Sequence, residues 1–324
     1  MVNLNIALIG HGYWGKILFR NLQNTQSAQV TAICDKNQKL VSQLRLSNSQ
    51  ILVTCDLKEI TSSKNIDAVV IATPAETHYK IAKSILWSGK HVLLEKPMAL
   101  NKNHALELKK LADRKKLILM IDHTYLYAPE IRAAKQIVDS GDLGEIRFIE
   151  TTRIGPGQYK VGCDVVWDFA PHDVSILYYF LGLPSKLSQV KSRIIDKKRA
   201  DVSNLYFKFS NGCEAHVHLS WLSPLKIRKI LIIGAKKTLF LEQVNNEEEM
   251  SMYLNDCYFK NSKKLLNYYK PIKNLQKLNN LPYVEPLRNV CHEFITSIIN
   301  HTYPISDGQL GYEVVTIIEK IHNQ

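Results

Sequence analysis

The chain has 324 residues and a formal net charge of +12, from 42 Lys and Arg against 30 Asp and Glu. At about 150 residues per domain, this length predicts two domains. A hydrophobic fraction of 45% and a charged fraction of 22% exclude a disordered chain. No apolar run approaches the roughly 20 residues that span a bilayer, and the apolar stretch near the N-terminus is too short for a signal peptide. We therefore expect a cytoplasmic protein with no membrane partner.

The cysteines and the basic residues suggest no chemistry of their own. The six cysteines are scattered, and no two form a C-x-x-C pair. Neither a disulfide framework nor a zinc site is predicted, so no metal is expected. Basic residues are frequent between positions 226 and 288, where a solvated face and a nucleic-acid surface are the two alternatives. No nucleic-acid motif accompanies them, which favours the solvated face and predicts no nucleic-acid partner.

Short β-rich runs alternate with amphipathic segments over the first 121 residues. The predicted strands are Asn5–Ile9, Val30–Cys34, Asp67–Ala72, His91–Leu94 and Leu117–Ile121. The predicted helices between them are Trp14–Leu22, Gln38–Leu46, Thr77–Ser88 and Lys102–Lys115. Parallel strands need a crossover connection, which is usually a helix. The alternation therefore predicts an α/β domain, a doubly wound parallel sheet, over residues 1–121.

From Ile146 onward the predicted strands follow one another, with turn residues such as Asn211-Gly212 between them. They are Arg147–Arg153, Lys186–Ile194, Asn204–Phe209, Glu214–Trp221, Lys229–Ile233 and Thr238–Leu241. The predicted helices are Asp168–Leu181, Pro286–Asn300 and Gly308–His322, and the Lys- and Asn-rich stretch Asn255–Leu281 is interpreted as a mobile insertion. Consecutive strands predict an α+β domain over residues 122–324 with a large, mainly antiparallel open sheet, and a boundary near Asp122–Pro129.

A G-x-G-x-x-G sequence, Gly10-His11-Gly12-Tyr13-Trp14-Gly15, joins the first predicted strand to the first helix, and Asp35 lies 20 residues after Gly15. In such a loop the glycines permit a tight turn, close approach of a pyrophosphate, and helix–strand packing. The pyrophosphate lies at the helix N-terminus, and the acid accepts the ribose hydroxyls. The spacing favours a dinucleotide site over a plain glycine turn. An acid repels a 2′-phosphate, so NAD is favoured over NADP, although Lys36 could weaken that preference.

Further segments resemble the Gfo/Idh/MocA family of sugar and polyol oxidoreductases over almost the whole chain. They are Ala72-Thr73-Pro74-Ala75-Glu76-Thr77-His78, Glu95-Lys96-Pro97, Asp122-His123-Thr124-Tyr125-Leu126-Tyr127-Ala128-Pro129, Trp167-Asp168-Phe169-Ala170-Pro171-His172-Asp173 and Ser306-Asp307-Gly308. The resemblance implies a Rossmann domain followed by a substrate-binding and oligomerisation domain with an open antiparallel sheet.

The resemblance also implies the residues of the site. The expected catalytic residues are Lys96, Asp168 and His172. The expected cofactor contacts are Gly10, Gly12, Tyr13, Trp14, Gly15, Asp35, Thr73, Pro74, His78, Glu95 and Lys96. The expected substrate contacts are Lys96, His123, Tyr125, Arg153, Asp168 and His172, with Arg153 open between a phosphate clamp and a surface ion pair. The Lys–Pro bond of this family is often cis, which would aim Lys96 into the cleft.

The expected chemistry is also physically consistent. Oxidising a secondary alcohol needs a hydride acceptor and a base, and histidine titrates near the operating pH. Asp168 and His172 share a helix face one turn apart. Asp168 is predicted to cap the helix, with Pro171 in its first turn and His172 kept neutral by the positive helix end. Lys96 would stabilise the developing alkoxide. The alternative is that Asp168 only caps the helix and His172 packs beneath it.

These observations predict an NAD-dependent dehydrogenase that oxidises a ring hydroxyl of a sugar. Within the family, the D-H-T-x-L-Y-x-P and W-D-x-A-P-H-D forms resemble members that act on nucleotide-linked N-acetylhexosamines and give a 3-keto product. The alternatives are a dehydrogenase of free sugars or inositol, and an NAD(P)-binding regulator or sensor without turnover.

His216 and His218 point to one sheet face, where solvent or an interface is favoured over metal. The family often packs this face against another subunit, so a homo-oligomer is expected.

Overall fold

The computed structural model describes residues 3–47, 50–157, 163–195, 197–244, 250–256, 276–278 and 282–323. The chain divides into two compact units. The first contains Met1–Tyr127 and Val284–Glu319, and the second contains Ala128–Tyr283 and Lys320–Gln324. The division at Tyr127 lies within the predicted boundary window. The predicted domains, residues 1–121 and 122–324, are each one continuous stretch, whereas each compact unit combines two separate stretches of the chain.

The first unit is built on a six-stranded parallel sheet with the order β3-β2-β1-β4-β5-β6. Its strands are β1 (Leu4–Ile9), β2 (Ala28–Cys34), β3 (Leu52–Thr54), β4 (Ala68–Ile71), β5 (His91–Glu95) and β6 (Leu119–Asp122). The helices between them are α1 (Tyr13–Gln23), α2 (Gln38–Ser47), α3 (Leu57–Ser62), α4 (Ala75–Trp87) and α5 (Lys102–Lys115).

The doubly wound parallel sheet is thus confirmed. The strand order reverses between β1 and β4, and ligands bind at such a switch point, at the carboxyl ends of the strands. Strand β3 and helix α3 were not predicted, because three and six residues are too few to show a strand or helix period.

The two C-terminal helices, α8 (Pro286–Asn300) and α9 (Gly308–His322), are joined by a segment that pairs with β6. The Ile121 N–H donates to the Ser306 carbonyl at 2.8 Å, and the Ser306 hydroxyl donates to the Ile121 carbonyl at 2.6 Å. Met120 and Asp307 form an antiparallel bridge. A Cβ on Gly311 would lie 2.5 Å from the Ile121 side chain, so this packing requires a glycine. The Ser-Asp-Gly segment therefore covers the β6 edge and fixes the strand that ends at Asp122.

The second unit is built on a seven-stranded sheet with the order β13-β12-β11-β7-β10-β9-β8. Its strands are β7 (Ile146–Pro156), β8 (Lys186–Ser192), β9 (Val202–Lys208), β10 (Glu214–Ser220), β11 (Leu222–Gly234), β12 (Lys237–Val244) and β13 (Ser251–Asp256). Among the strands that the structure describes in this sheet, only β7 and β10 pair in parallel, so the predicted, mainly antiparallel sheet is confirmed. The helices α6 (Pro129–Asp139) and α7 (Val165–Leu181) precede and follow β7, and α7 packs against the sheet.

Helix α7 begins earlier than predicted. Asp164 is the N-cap, and its Oδ1 accepts the N–H groups of Val166 at 3.1 Å and Trp167 at 3.0 Å. The predictions that Asp168 caps this helix and that Pro171 lies in its first turn are therefore wrong. His172 lies further from the positive helix end than predicted. The helix dipole fades beyond the first turn, so it no longer accounts for a neutral His172.

Some predicted features lie outside the described residues. They include most of the Lys- and Asn-rich segment Asn255–Leu281, of which the structure describes only residues 255–256, at the end of β13, and residues 276–278, where Lys277 forms a bridge with Tyr253. Within the described residues, no helix combines the length and the apolar character that crossing a membrane would require.

Candidate functional site

The glycine loop of the first unit has the geometry that a diphosphate needs. Gly10 has a φ of +89°, and a Cβ there would lie 2.7 Å from the Ala72 carbonyl oxygen. A Cβ on Gly15 would lie 2.0 Å from the Gly10 carbonyl oxygen, so neither position tolerates a side chain. A Cβ on Gly12 would meet nothing within 4 Å. The loop is therefore closed on the protein side and open at Gly12, the position at which a pyrophosphate approaches the backbone.

Helix α1 starts directly after this loop, and its N-cap residue Gly12 supplies no side-chain hydrogen bond. The first N–H groups of a helix have no partner within the helix and carry partial positive charge, so this end suits an anion. Tyr13 and Trp14 occupy the first turn, with exposed fractions of 76% and 49%, and their rings meet edge to face. These features fit the diphosphate of a dinucleotide.

Asp35 follows β2 and holds the glycine loop in place. Its Oδ2 accepts the His11 N–H at 2.7 Å, and its Oδ1 accepts the Asn37 N–H at 2.9 Å. A carboxylate has about four acceptor positions, so each oxygen can accept one further donor. Asp35 is half-buried, and it retains acceptor capacity for the ribose hydroxyls of a cofactor.

His78, one of the predicted cofactor contacts, is buried between two turns. Its side chain is 1% exposed, with Nε2 2.8 Å from the Thr73 carbonyl oxygen and Nδ1 2.8 Å from the Pro97 carbonyl oxygen. Burial lowers the pKa of His78, so the neutral ring donates to one carbonyl at a time. His78 thus joins the turn after β4, which contains Thr73 and Pro74, to the turn after β5.

The turn after β5 contains Glu95 and Lys96, and the Lys96–Pro97 peptide bond is cis, as the resemblance implied. Glu95 is directly opposite Asp122 at the end of β6. Burial, followed by the negative charge of Asp122, raises the pKa of Glu95 well above its ordinary range. Burial also raises the pKa of Asp122 to about 6. This carboxyl pair therefore holds a proton more readily than exposed acids, and a protonated carboxyl can donate a hydrogen bond.

His123 follows Asp122 and is enclosed by the protein. Its side chain is 1% exposed, and neither ring nitrogen has a hydrogen-bond partner in the part of the chain that the structure describes. Burial, followed by the charge of Lys96, lowers the pKa of His123 to about 3, so the ring is neutral at physiological pH. Tyr125 is half-buried in the next turn. His123 thus has one donor and one acceptor to offer to a ligand or water.

The second unit contains the other two predicted catalytic residues. Asp168 and His172 lie four positions apart on α7, and both side chains are half-buried. The indole N–H of Trp221 donates to Asp168 Oδ2 at 3.1 Å. Trp221 was not among the predicted site residues, because no local spacing connects it to a residue 53 positions away. The alternative in which Asp168 caps the helix is excluded by the cap at Asp164.

Arg153 is placed differently from either predicted alternative. Its Nε donates to Asp173 Oδ2 at 2.5 Å, and the two side chains are 6% and 2% exposed. A surface ion pair is therefore the wrong description. A buried guanidinium that bonds Asp173 has little surface left to hold a phosphate, so we leave Arg153 out of the proposed substrate contacts.

Arg153→Met is expected to lower the free energy of unfolding by about 3 kcal/mol, because the change leaves the Asp173 carboxylate buried without its cation. Urea unfolding monitored by circular dichroism measures the loss. The double variant Arg153→Met/Asp173→Asn should recover part of it, since no buried charge then remains unpaired. A single variant as stable as the wild type would contradict a buried ion pair.

His216 and His218 lie on one face of the second sheet, as predicted. His216 Nε2 is 3.1 Å and His218 Nδ1 is 2.9 Å from the Oδ1 atom of Asn204. The two rings therefore share one acceptor. No group of three or more His, Cys, Asp or Glu side chains among the described residues is arranged to hold a metal ion.

Comparison with known proteins agrees with this geometry. A family model described as an oxidoreductase family with an NAD-binding Rossmann fold matches residues 4–123, and a GFO/IDH/MocA C-terminal domain matches residues 131–240. An uncharacterized oxidoreductase of Synechocystis sp. is 27% identical over 214 residues, which are 62% of this chain and 58% of that protein. The chain spans 58%, 56% and 58% of the length of the first three curated relatives.

A UDP-N-acetylglucosamine 3-dehydrogenase of Acidithiobacillus ferrooxidans is 24% identical over 248 residues, 76% of each chain. A solved structure of the enzyme with that name from the same organism superposes on this chain with a TM-score of 0.82 and 21% identity. The superposition covers 99% of this chain and 97% of that structure's chain. At that identity the likeness supports the fold alone. The family models together match both the Rossmann domain and the domain that follows it, and the chain therefore belongs to the Gfo/Idh/MocA oxidoreductase family.

Proposed function

We propose that this protein is an NAD-dependent dehydrogenase that oxidises a ring hydroxyl of a sugar. The observation that carries the proposal is the carboxyl edge of the first sheet. There the open glycine loop, Asp35 and Lys96 follow β1, β2 and β5 of one parallel sheet. This edge provides a place for a diphosphate, an acceptor for ribose hydroxyls and a cation for the reacting oxygen.

The bound cofactor would supply the hydride acceptor, and the chain would supply the rest. The Lys96 ammonium stabilises negative charge on the hydroxyl oxygen as its proton leaves. His172 accepts that proton as the general base. Asp168 lies one turn earlier on α7, where a carboxylate stabilises the positive charge that His172 acquires. His123 and Tyr125 remain proposed substrate contacts, and His78 holds the cofactor turns in position.

The cofactor preference is proposed from Asp35. Asp35→Ala should raise the ratio of kcat/KM for NADP to that for NAD by about tenfold or more, because it removes a negative charge that repels a 2′-phosphate. The alanine also removes the acceptor of the His11 and Asn37 N–H groups, which loosens the loop. Asp35→Asn is the matched variant, since it removes the charge and keeps an acceptor. An unchanged ratio in both variants would contradict this role.

The substrate we propose is a nucleotide-linked N-acetylhexosamine, oxidised to a 3-keto product. The name of the Acidithiobacillus relative and the net charge of +12, which suits a pyrophosphate-bearing substrate, support this choice. Free sugars or inositol are the alternative substrates. A regulator that binds NAD without turnover is the alternative of another class. The Lys96, Asp168 and His172 set favours catalysis, because binding NAD alone does not require it.

A substrate panel tests the proposal. The protein is incubated with NAD and, separately, UDP-N-acetylglucosamine, free glucose or myo-inositol, and the absorbance of reduced nicotinamide is followed. Turnover with the nucleotide sugar alone supports the full proposal. Turnover only with a free sugar or inositol keeps the chemistry and rejects the substrate. NAD binding without turnover, also on a wider set of nucleotide sugars, favours the regulator.

We also propose that copies of the chain pair through the second sheet. Its strands carry partly exposed aromatic pairs, with Tyr206 stacked on His216 and Phe240 stacked on Tyr253. Burying such side chains between two copies removes apolar surface from water. Sedimentation velocity should give a species of at least twice the monomer mass of 37.1 kDa, whereas a monomer at all concentrations would reject this pairing.

A further inference from the structure

Trp221 is a buried tryptophan in the link between β10 and β11, with a side chain 3% exposed. Its indole nitrogen is a donor only, and it donates to Asp168 Oδ2 at 3.1 Å. The bond restricts the rotation of the Asp168 carboxylate, because one of its oxygens is held.

The backbone of Trp221 is fixed on both sides. Its N–H donates to the Asp201 carbonyl at 2.9 Å, and its carbonyl accepts the Gly157 N–H at 2.9 Å. A Cβ on Gly157 would lie 2.4 Å from the Trp221 Cβ, so the approach of these two segments requires a glycine. The indole is thus held by backbone contacts that do not depend on Asp168.

The helix that carries Asp168 is anchored to the same short segment. The Val165 N–H, at the start of α7, donates to the Ala200 carbonyl at 3.1 Å. The adjacent Asp201 binds Trp221 through its carbonyl, and its carboxylate accepts the N–H groups of Ile194 and Ile195. Residues 200 and 201 therefore fix both Trp221, the hydrogen-bond donor, and the start of α7, the helix that carries the acceptor Asp168.

We propose that Trp221 is a positioning residue that orients the Asp168 carboxylate for catalysis. The proposal rests on the proposed dehydrogenase function, because it assigns Asp168 to the reaction. A group displaced by about 1 Å can cost about a hundredfold in rate, so a fixed donor on this carboxylate affects turnover without touching the substrate. Trp221 lies outside every motif on which the family resemblance rests.

The kinetic test uses Trp221→Phe, which removes the N–H and keeps an aromatic ring. The matched control is Trp87→Phe, since Trp87 is 67% exposed on α4. We expect Trp221→Phe to lower kcat about tenfold to a hundredfold, with the NAD dissociation constant unchanged. A variant with wild-type kcat would overturn the proposal.

A second measurement does not depend on turnover. The chain has four tryptophans, so a protein labelled with ¹⁵N at the indoles gives a small set of N–H signals. The Trp221 signal is identified as the one that disappears from the spectrum of Trp221→Phe. If that variant does not fold, three variants that replace Trp14, Trp87 and Trp167 by Phe identify the other three signals, and the remaining signal belongs to Trp221. Asp168→Asn should move this signal upfield, because a neutral amide is a weaker acceptor.

The measurements distinguish a failure of the inference about Trp221 from a failure of the proposed dehydrogenase function. A Trp221 signal that does not respond to Asp168→Asn overturns the inference whatever the enzyme does. If the wild-type protein turns over no sugar in the panel but its Trp221 signal responds to Asp168→Asn, the proposed function is overturned. The catalytic role of the bond between Trp221 and Asp168 is then overturned with it. A responding signal together with the kinetic loss supports both.

Discussion

Lys96→Ala is expected to reduce turnover by about a thousandfold or more and to leave NAD binding largely intact. The ammonium is the cation assigned to the developing alkoxide, and removing such a preorganised charge acts on the transition state. The proposed diphosphate and ribose contacts come from the glycine loop and Asp35, which the substitution does not alter. Steady-state kinetics with saturating NAD and calorimetric titration with NAD measure the two quantities separately.

The matched control for this prediction is Lys110→Ala, an exposed lysine on α5, which should retain full activity. Equal losses of NAD binding and turnover in Lys96→Ala would assign Lys96 a structural role in the turn after β5. Full turnover would remove it from the reaction. Circular dichroism excludes unfolding as the cause of a loss.

His172→Gln is expected to lower kcat by about a hundredfold to ten-thousandfold, because the variant has no group that titrates near neutral pH to accept the hydroxyl proton. The pH profile is the more specific measurement. If His172 is the base, the wild-type kcat/KM falls as the pH drops and the imidazole is protonated, whereas the residual activity of the glutamine variant lacks this limb.

The exposed His292 on α8 provides the control, and His292→Gln should keep both the rate and the pH profile of the wild type. A His172→Gln variant that retains the acidic limb would assign that titration to another group and reject His172 as the base. A variant with wild-type kcat would reject any role of His172 in proton transfer.

The predicted catalytic residues lie in two units, and the sequence predicted their surroundings better in the first unit than in the second. In the first unit the strand–loop–helix order, the G-x-G-x-x-G spacing and the acid at the end of β2 are all local in sequence. Local spacing is set by strand and helix periods, which is why the parallel sheet and the glycine loop were predictable. The predicted bounds of α5, α8 and α9 also agree with those of the structure.

In the second unit the sequence identified Asp168 and His172 but misplaced the start of their helix. Two acids, Asp164 and Asp168, both precede apolar residues and either is a suitable N-cap. The choice of Asp164 depends on its contact with the following N–H groups and on the bond from Val165 to Ala200, a residue far along the chain. A local pattern contains no information about that second partner.

The sequence by itself therefore determined most of the strands and helices, the glycine loop and the resemblance to the family. The tertiary structure alone decided that residues 284–319 pack on the first unit, that His78 supports two turns, that Arg153 is buried against Asp173 and that Trp221 holds Asp168. The physical reason is the same in each case. Each contact joins residues distant in sequence, and its energy depends on burial and on donor–acceptor geometry that exist only after the chain has folded.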